Sequence, residues 1–229
     1  MMFEKIDLLG PKKLTSLTLG SSILGDHLVM TNWSLDQPDL TVAVGKMHSP
    51  ILERSAIRKI QSNSVRELLN KLLFEKFPNT ANECWTVSAP GTGRPQLSGP
   101  VNLDVSFSHR LAWVACAISD GQRVGIDLEP ILGKFDELTL DLFLSPSEIT
   151  WMKQMPQSER GCMAIVLWCL KEAWLKASNL AGSVAMHHVV FSSELELLSV
   201  NDQIQKNRWK SLAWKLDEDL IIAVCIENQ

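Results

Sequence analysis

Apolar side chains recur along this chain with two different periods, and the switches between them mark out its elements. Runs at Leu14 to Leu19, His27 to Trp33 and Leu40 to Val44 read as short strands, separated by Gly20, Gly25 and a turn at Asp36-Gln37-Pro38-Asp39. Ser49-Pro50 supplies an N-cap with proline at the first helical position, and Ile51, Leu52, Ile57 and Ile60 give the helix that follows one apolar side. A second helix is predicted from Ser64 to Phe77, with Val65, Leu68, Leu69, Leu72 and Leu73 at helical spacing and Pro78 to stop it. Trp85 to Ser88 alternates as a strand does and opens into a loop, Ala89 to Pro100, whose glycines, prolines and Arg94 suit a backbone shaped around a ligand. Leu103 to Phe107, Leu111 to Ile118 and Val124 to Leu128 then predict a meander, with Ser108-His109-Arg110 at its first bend and Asp120-Gly121 at its second. Ser145-Pro146-Ser147-Glu148 has the form of a capping box and starts a short helix. The next helix, Glu159 to Ser178, is apolar nearly all round and stops between Asn179 and Gly182. Val189 to Phe191, Leu195 to Val200, Trp209 to Leu216 and Leu220 to Ile226 are strands again, so the predicted class is α+β with antiparallel sheets.

Two stretches concentrate polar chemistry inside this apolar frame. In the strand Val124-Gly125-Ile126-Asp127-Leu128-Glu129, the alternation of faces puts Asp127 and Glu129 on one side. In the helix, Trp168, Glu172 and Lys176 follow at i, i+4 and i+8 and form one stripe, with Lys171 at its edge. Taken alone, an Asp-x-Glu is usually a solvated sheet face and a Glu–Lys helix pair is worth only ~0.3 kcal/mol. The surrounding helix is too apolar to be a surface element, however, and charges on a buried helix need partners. If strand and helix face each other, three carboxylates and two ammonium groups converge, a set that suits a hard divalent cation holding a phosphate-bearing substrate.

Composition narrows the picture. The chain has 229 residues, 45% hydrophobic and 21% charged, with a net charge of −4, which describes a globular protein and argues against wholesale nucleic-acid binding. An anionic ligand must therefore meet a local basic patch. The start of the sequence lacks a basic region followed by an apolar one, and no apolar run is long enough to span a membrane, so a cytoplasmic protein is expected. The 5 cysteines form no C-x-x-C pair and read as reduced thiols. His187-His188 has no third ligand at useful spacing, and neither a Walker-type nor a dinucleotide-binding glycine loop occurs.

Ala112-Trp113-Val114-Ala115-Cys116-Ala117-Ile118 is echoed by Ile221-Ile222-Ala223-Val224-Cys225-Ile226, which is compatible with two similar lobes. Together with Gly93-Arg94-Pro95, Phe107-Ser108-His109, Gly125-Ile126-Asp127-Leu128-Glu129, Trp168-x-x-Lys171-Glu172-x-x-x-Lys176 and the closing Asp217 to Cys225, the chain resembles the Sfp-type 4′-phosphopantetheinyl transferases. It departs from them at Arg110, where Ser commonly follows the His. Arg54, Arg58 and Arg66 are candidates for the family's N-terminal basic residues. The resemblance implies two α+β lobes, each an antiparallel sheet packed on helices, related by a pseudo-two-fold axis: residues 1–120 and a C-terminal lobe, 121–229, carrying the metal site. It implies Mg²⁺ on Asp127, Glu129 and Glu172, and coenzyme A bound through Arg94, Pro95, Ser108 and His109. Lys171 and Lys176 are implied at the reacting phosphate, with Glu172 as the base. The implied partner of this monomer is an apo acyl or peptidyl carrier protein, whose serine receives the phosphopantetheine arm as 3′,5′-ADP leaves. A non-catalytic relative that only binds coenzyme A or a carrier is the alternative, and the residues do not say which carrier or pathway is served.

Overall fold

The computed structural model describes residues 28–37, 39–47, 54–80, 84–88, 93–131, 137–205, 207–216 and 220–228; the side chains of 28–37, 54–56, 137 and 138 are not described. The expected strand at Leu14 to Leu19, the Ser49-Pro50 helix start, Ala89 to Thr92 and Asp217 to Asp219 lie outside these residues. The chain divides into two compact units, with the boundary between Arg123 and Val124.

The first unit is built on a sheet in the order β1-β2-β6-β5, antiparallel throughout, from β1 (Leu28–Gln37), β2 (Leu40–Met47), β5 (Leu103–Arg110) and β6 (Trp113–Asp120). Strand β6 is buried on both faces from Trp113 to Ser119, which is why its sequence reads as an unbroken apolar run rather than an alternation. Helix α1 (Arg54–Lys76) lies against this sheet and buries Val65, Leu68, Leu69, Leu72 and Leu73 in a core shared with Val105, Val114, Cys116 and Ile118. The sequence predicted two helices here. The polar run Gln61-Ser62-Asn63-Ser64 reads as a break, but it holds neither Gly nor Pro, so the helical hydrogen bonds continue through it. Two of these polar residues, Gln61 and Ser64, are buried, and Gln61 Nε2 donates to the carbonyl of Leu111 at 2.8 Å.

The predicted loop before β5 is in part a hairpin, since β3 (Thr86–Ser88) pairs with β4 (Gln96–Ser98). Strand β5 runs on through Ser108, His109 and Arg110, so these residues stand on a strand rather than at its bend. The bend falls at Leu111, with φ of 52°.

The meander ends at β6. At Gly121, φ is +69°, a backbone position that glycine adopts without steric cost, and the chain leaves the first sheet there. Strand β7 (Val124–Pro130) pairs instead with β12 (Leu220–Glu227) in a second antiparallel sheet ordered β11-β12-β7, where β11 is Trp209–Leu216. The two echoing apolar runs thus occupy interior strands of their respective sheets. Helix α2 (Pro146–Met152) has both capping-box bonds at Ser145 and Glu148. Helix α3 (Gln157–Ser178) packs across β7 and β12 and ends at Asn179 in the left-handed conformation. A small sheet, β10-β9-β8, follows from β8 (Val189–Phe191), β9 (Leu197–Val200) and β10 (Gln203–Ile204). Strand β9 begins later than predicted because Leu195 has φ of 63° and sits in a turn closed by Ser192. Helix α3 is buried along most of its length with Val189, Phe191, Leu197, Ala213, Ile221 and Ala223, which accounts for its lack of a polar face.

Candidate active site

The site is created by a close approach of helix to strand. A Cβ placed on Gly125 would lie 1.9 Å from the carbonyl oxygen of Ala173 and 2.7 Å from the amide nitrogen of Ala177, so the backbone of α3 rests directly on β7. Gly125, Asp127 and Glu129 share one face of β7 by strand alternation. On α3, Cys169, Glu172, Ala173 and Lys176 lie on neighbouring parts of the helix surface by the helical repeat. The contact at Gly125 brings these two faces together.

The polar groups then interact across it. Lys176 Nζ donates to Asp127 Oδ1 at 2.7 Å and to the carbonyl oxygen of Ile126 at 3.0 Å, which anchors the ammonium to both the side chain and the backbone of β7. Asp127 is buried, whereas Glu129, Glu172 and Lys176 are half-buried. Burial raises the pKa of Glu172, the neighbouring charge of Asp127 raises it further, and Lys176 opposes both. Cys169 lies among the same charges. Its thiol is driven well above its usual range by burial and then by Asp127 and Glu129; Lys176 opposes the rise, and a hydrogen bond with Asp127 adds to it.

These carboxylates supply the oxygen donors that a hard divalent cation takes. Among the described residues, no three His, Cys, Asp or Glu side chains already stand grouped so as to hold a metal ion. Asp127 Oδ1 is turned to Lys176, so holding an ion takes rotation of these side chains. The donor chemistry fits, and so does the electrostatics: the repulsion from Asp127 that adds to burial in raising Glu172 is what a cation between carboxylates relieves.

Residues 123–225 match the family model of the 4′-phosphopantetheinyl transferase superfamily. No curated protein matches the chain. The superfamily match takes in β7, α3 and most of β12, and with them all four of Asp127, Glu129, Glu172 and Lys176.

Lys171 does not join them. It projects from α3 roughly opposite the face that meets β7 and is wholly buried beside Glu148, at 0% exposure for both side chains and 2.7 Å between Nζ and Oε2. Burial lowers its pKa, against the upward pull of the Glu148 charge. Trp168, the first member of the predicted stripe, packs edge-on against Phe143, with ring centroids 5.2 Å apart.

The remaining candidates belong to the first unit. Arg94 is half-buried and forms an ion pair with Asp104; burial lowers its pKa, Asp104 counters this, and Arg123 is close enough to add to the lowering. Pro95 follows it into β4 and is half-buried. Ser108 is buried on β5 and His109 is exposed beside it. Arg110 and Arg58 are exposed, and Arg66 is turned along its own helix to the carbonyl of Ser62 at 2.8 Å.

Sequence reasoning missed Cys169 and Glu148. Cys169 stands three residues before Glu172 and seven before Lys176, so helical spacing alone could have found it. Glu148 carried a signal only as the fourth residue of a capping box.

Proposed function

We propose that this protein is a 4′-phosphopantetheinyl transferase of the Sfp type, moving the phosphopantetheine arm of coenzyme A onto a serine of an apo acyl or peptidyl carrier protein. The observation that carries the reading is the meeting of Asp127, Glu172 and Lys176 across one helix–strand contact, with Glu129 on the same face of the strand, inside the segment that matches the superfamily. In this reading Asp127, Glu129 and Glu172 hold Mg²⁺. When bound, the ion supplies charge neutralisation to the pyrophosphate under attack.

The carrier's serine oxygen forms a bond to the phosphorus that bears the arm. The bond from that phosphorus to the oxygen bridging to the nucleotide breaks, and 3′,5′-ADP leaves. Glu172 accepts the serine proton. Lys176 offers an ammonium group, already held at the site, to the charge that develops on the phosphoryl oxygens. Arg94, Pro95, Ser108 and His109 bind the nucleotide end of coenzyme A; Arg94 comes to its phosphate by exchanging Asp104 for it.

Incubation with coenzyme A, Mg²⁺ and a panel of apo carrier proteins tests the reading. A carrier gains the mass of the arm, and the gain depends on Mg²⁺. Binding of coenzyme A with no mass gain on any carrier would instead place the chain among non-catalytic relatives.

A further inference from the structure

Lys171 and Glu148 are fully buried charged side chains whose own charged atoms are hydrogen-bonded. Glu148 Oε2 accepts from Lys171 Nζ at 2.7 Å and from the backbone amide of Ser145 at 2.7 Å, while Oε1 accepts from the amide of Phe191 at 2.9 Å. Lys171 Nζ donates in addition to the carbonyl of Met186 at 3.1 Å. One ion pair therefore ties the start of α2, the middle of α3 and the segment from Met186 to β8 at a single point. An ion pair this deep is a poor source of stability, because apolar side chains of the same volume do as well or better without the desolvation cost. What it supplies is direction. Hydrogen bonds to fixed backbone groups allow one position of the lysine, and so one rotation and one height of the helix that carries it.

Lys171 is adjacent in sequence to Glu172, and the helix it fixes bears on the other side against Gly125. We propose that Lys171 is a positioning residue: its buried pairing with Glu148 locks the rotation of α3 from behind, and this aims Cys169, Glu172 and Lys176 at Asp127 and Glu129. The lysine does not touch the phosphate. The inference rests on the reading of the site as a transferase centre for its effect on catalysis, but the lock itself can be observed without it.

The test uses the full chain with Glu148→Gln, Lys171→Met and the double variant. Single changes leave one buried partner without its counterpart and should lower the melting temperature. In the double variant neither charge is left unpaired and the volumes stay, while one backbone amide loses its carboxylate acceptor, so the melting temperature should rise above those of the single variants without reaching the wild-type value.

Against that background, three measurements report position. Alkylation of Cys169 should be at least about tenfold faster than in the wild type, while Cys225 in β12 stays as protected as before. The kcat for arm transfer should fall by about tenfold or more, with KM for coenzyme A changed by less than about twofold. More Mg²⁺ should be needed for half-maximal rate.

Wild-type Cys169 protection in the double variant, with unchanged kcat and Mg²⁺ requirement, would overturn the proposal and leave the pair a stability element only. A rise in KM for coenzyme A in Lys171→Met with none in Glu148→Gln would overturn it in favour of a phosphate contact. If the wild-type protein transfers nothing to any carrier, the transferase reading has failed, and the Cys169 protection of the double variant decides the positioning role alone.

Discussion

Replacing Gly125 with alanine is the smallest change that should disable the site without touching a charged group. The added Cβ would stand 1.9 Å from Ala173 O and 2.7 Å from Ala177 N, and both are backbone atoms that no rotamer change can move. An unstrained carbon–oxygen contact is about 3.3 Å, so α3 must withdraw from β7 by roughly 1.4 Å at this point. Overpacking of this kind costs about 1–3 kcal/mol, equivalent to a fall in melting temperature of about 2–4 °C for each kcal/mol in a chain of this size. The protein remains folded. Function should suffer far more, because the same withdrawal stretches the 2.7 Å contact of Lys176 with Asp127 beyond hydrogen-bond range. A displacement of about 1 Å at reacting groups is enough for a hundredfold loss. Thermal melts together with single-turnover arm transfer, followed by mass spectrometry, measure both effects. Ala173→Gly in the same chain should give no rescue, since the clash is with the carbonyl and not the methyl. A Gly125→Ala protein with wild-type kcat would refute the argument, as would one rescued by Ala173→Gly.

Other expectations are independent of that one. Glu172→Gln keeps shape but cannot accept a proton at neutral pH, so kcat should fall by about 10²–10⁴-fold with little loss of coenzyme A binding by calorimetry; Asp127→Ala should mainly weaken metal binding and recover in part at high Mg²⁺. Equal rescue of both variants by Mg²⁺ would leave Glu172 as a ligand only. Arg94→Ala and His109→Ala should raise KM more than they lower kcat, and should reduce the preference for coenzyme A over its 3′-dephospho form; unchanged discrimination would remove both from the phosphate. Burial pushes the thiols of Cys116 and Cys225 up to about 12, so in the native protein iodoacetamide should modify exposed Cys84 and spare these two. Their ionisation above about pH 9 occurs in the unfolded chain only, so stability should fall between there and about pH 12, by about 1.4 kcal/mol per pH unit for each thiol. Urea midpoints that do not drop between pH 8 and pH 10 would contradict that burial.

The legible parts of this protein were those that local rules decide. The capping box at Ser145, the helix ending at Asn179 and the strands from Trp209 and Leu220 follow from spacing and turn chemistry, and they stand where the pattern puts them. Strand partnership was not legible. Val124 to Leu128 reads as a meander neighbour of Leu111 to Ile118, yet it pairs with Leu220 to Ile226; all are apolar runs, and the choice is made by packing between distant segments. The same limit applies to Lys171 and Lys176. Both were expected at a phosphate, and their spacing around Glu172 is compatible with one cluster. What separates them is a buried partner, Glu148, whose role in its own helix cap gives no hint of a second role. That a lysine on so apolar a helix needs a counter-charge could be read from the sequence; which carboxylate supplies it could not.

The pairing of β7 with β12 also orders events in time. Asp127 takes its place in the ladder opposite Ala223, so the strand that bears the carboxylates leaves the ribosome long before its neighbour exists. Contacts so distant in sequence are slow to form, since the intervening chain must be ordered or looped out first. Until β12 docks, β7 lacks this ladder neighbour and is held by its contact with α3. A nascent or proteolytically shortened chain can therefore contain every residue of the cluster and still lack the sheet that backs it.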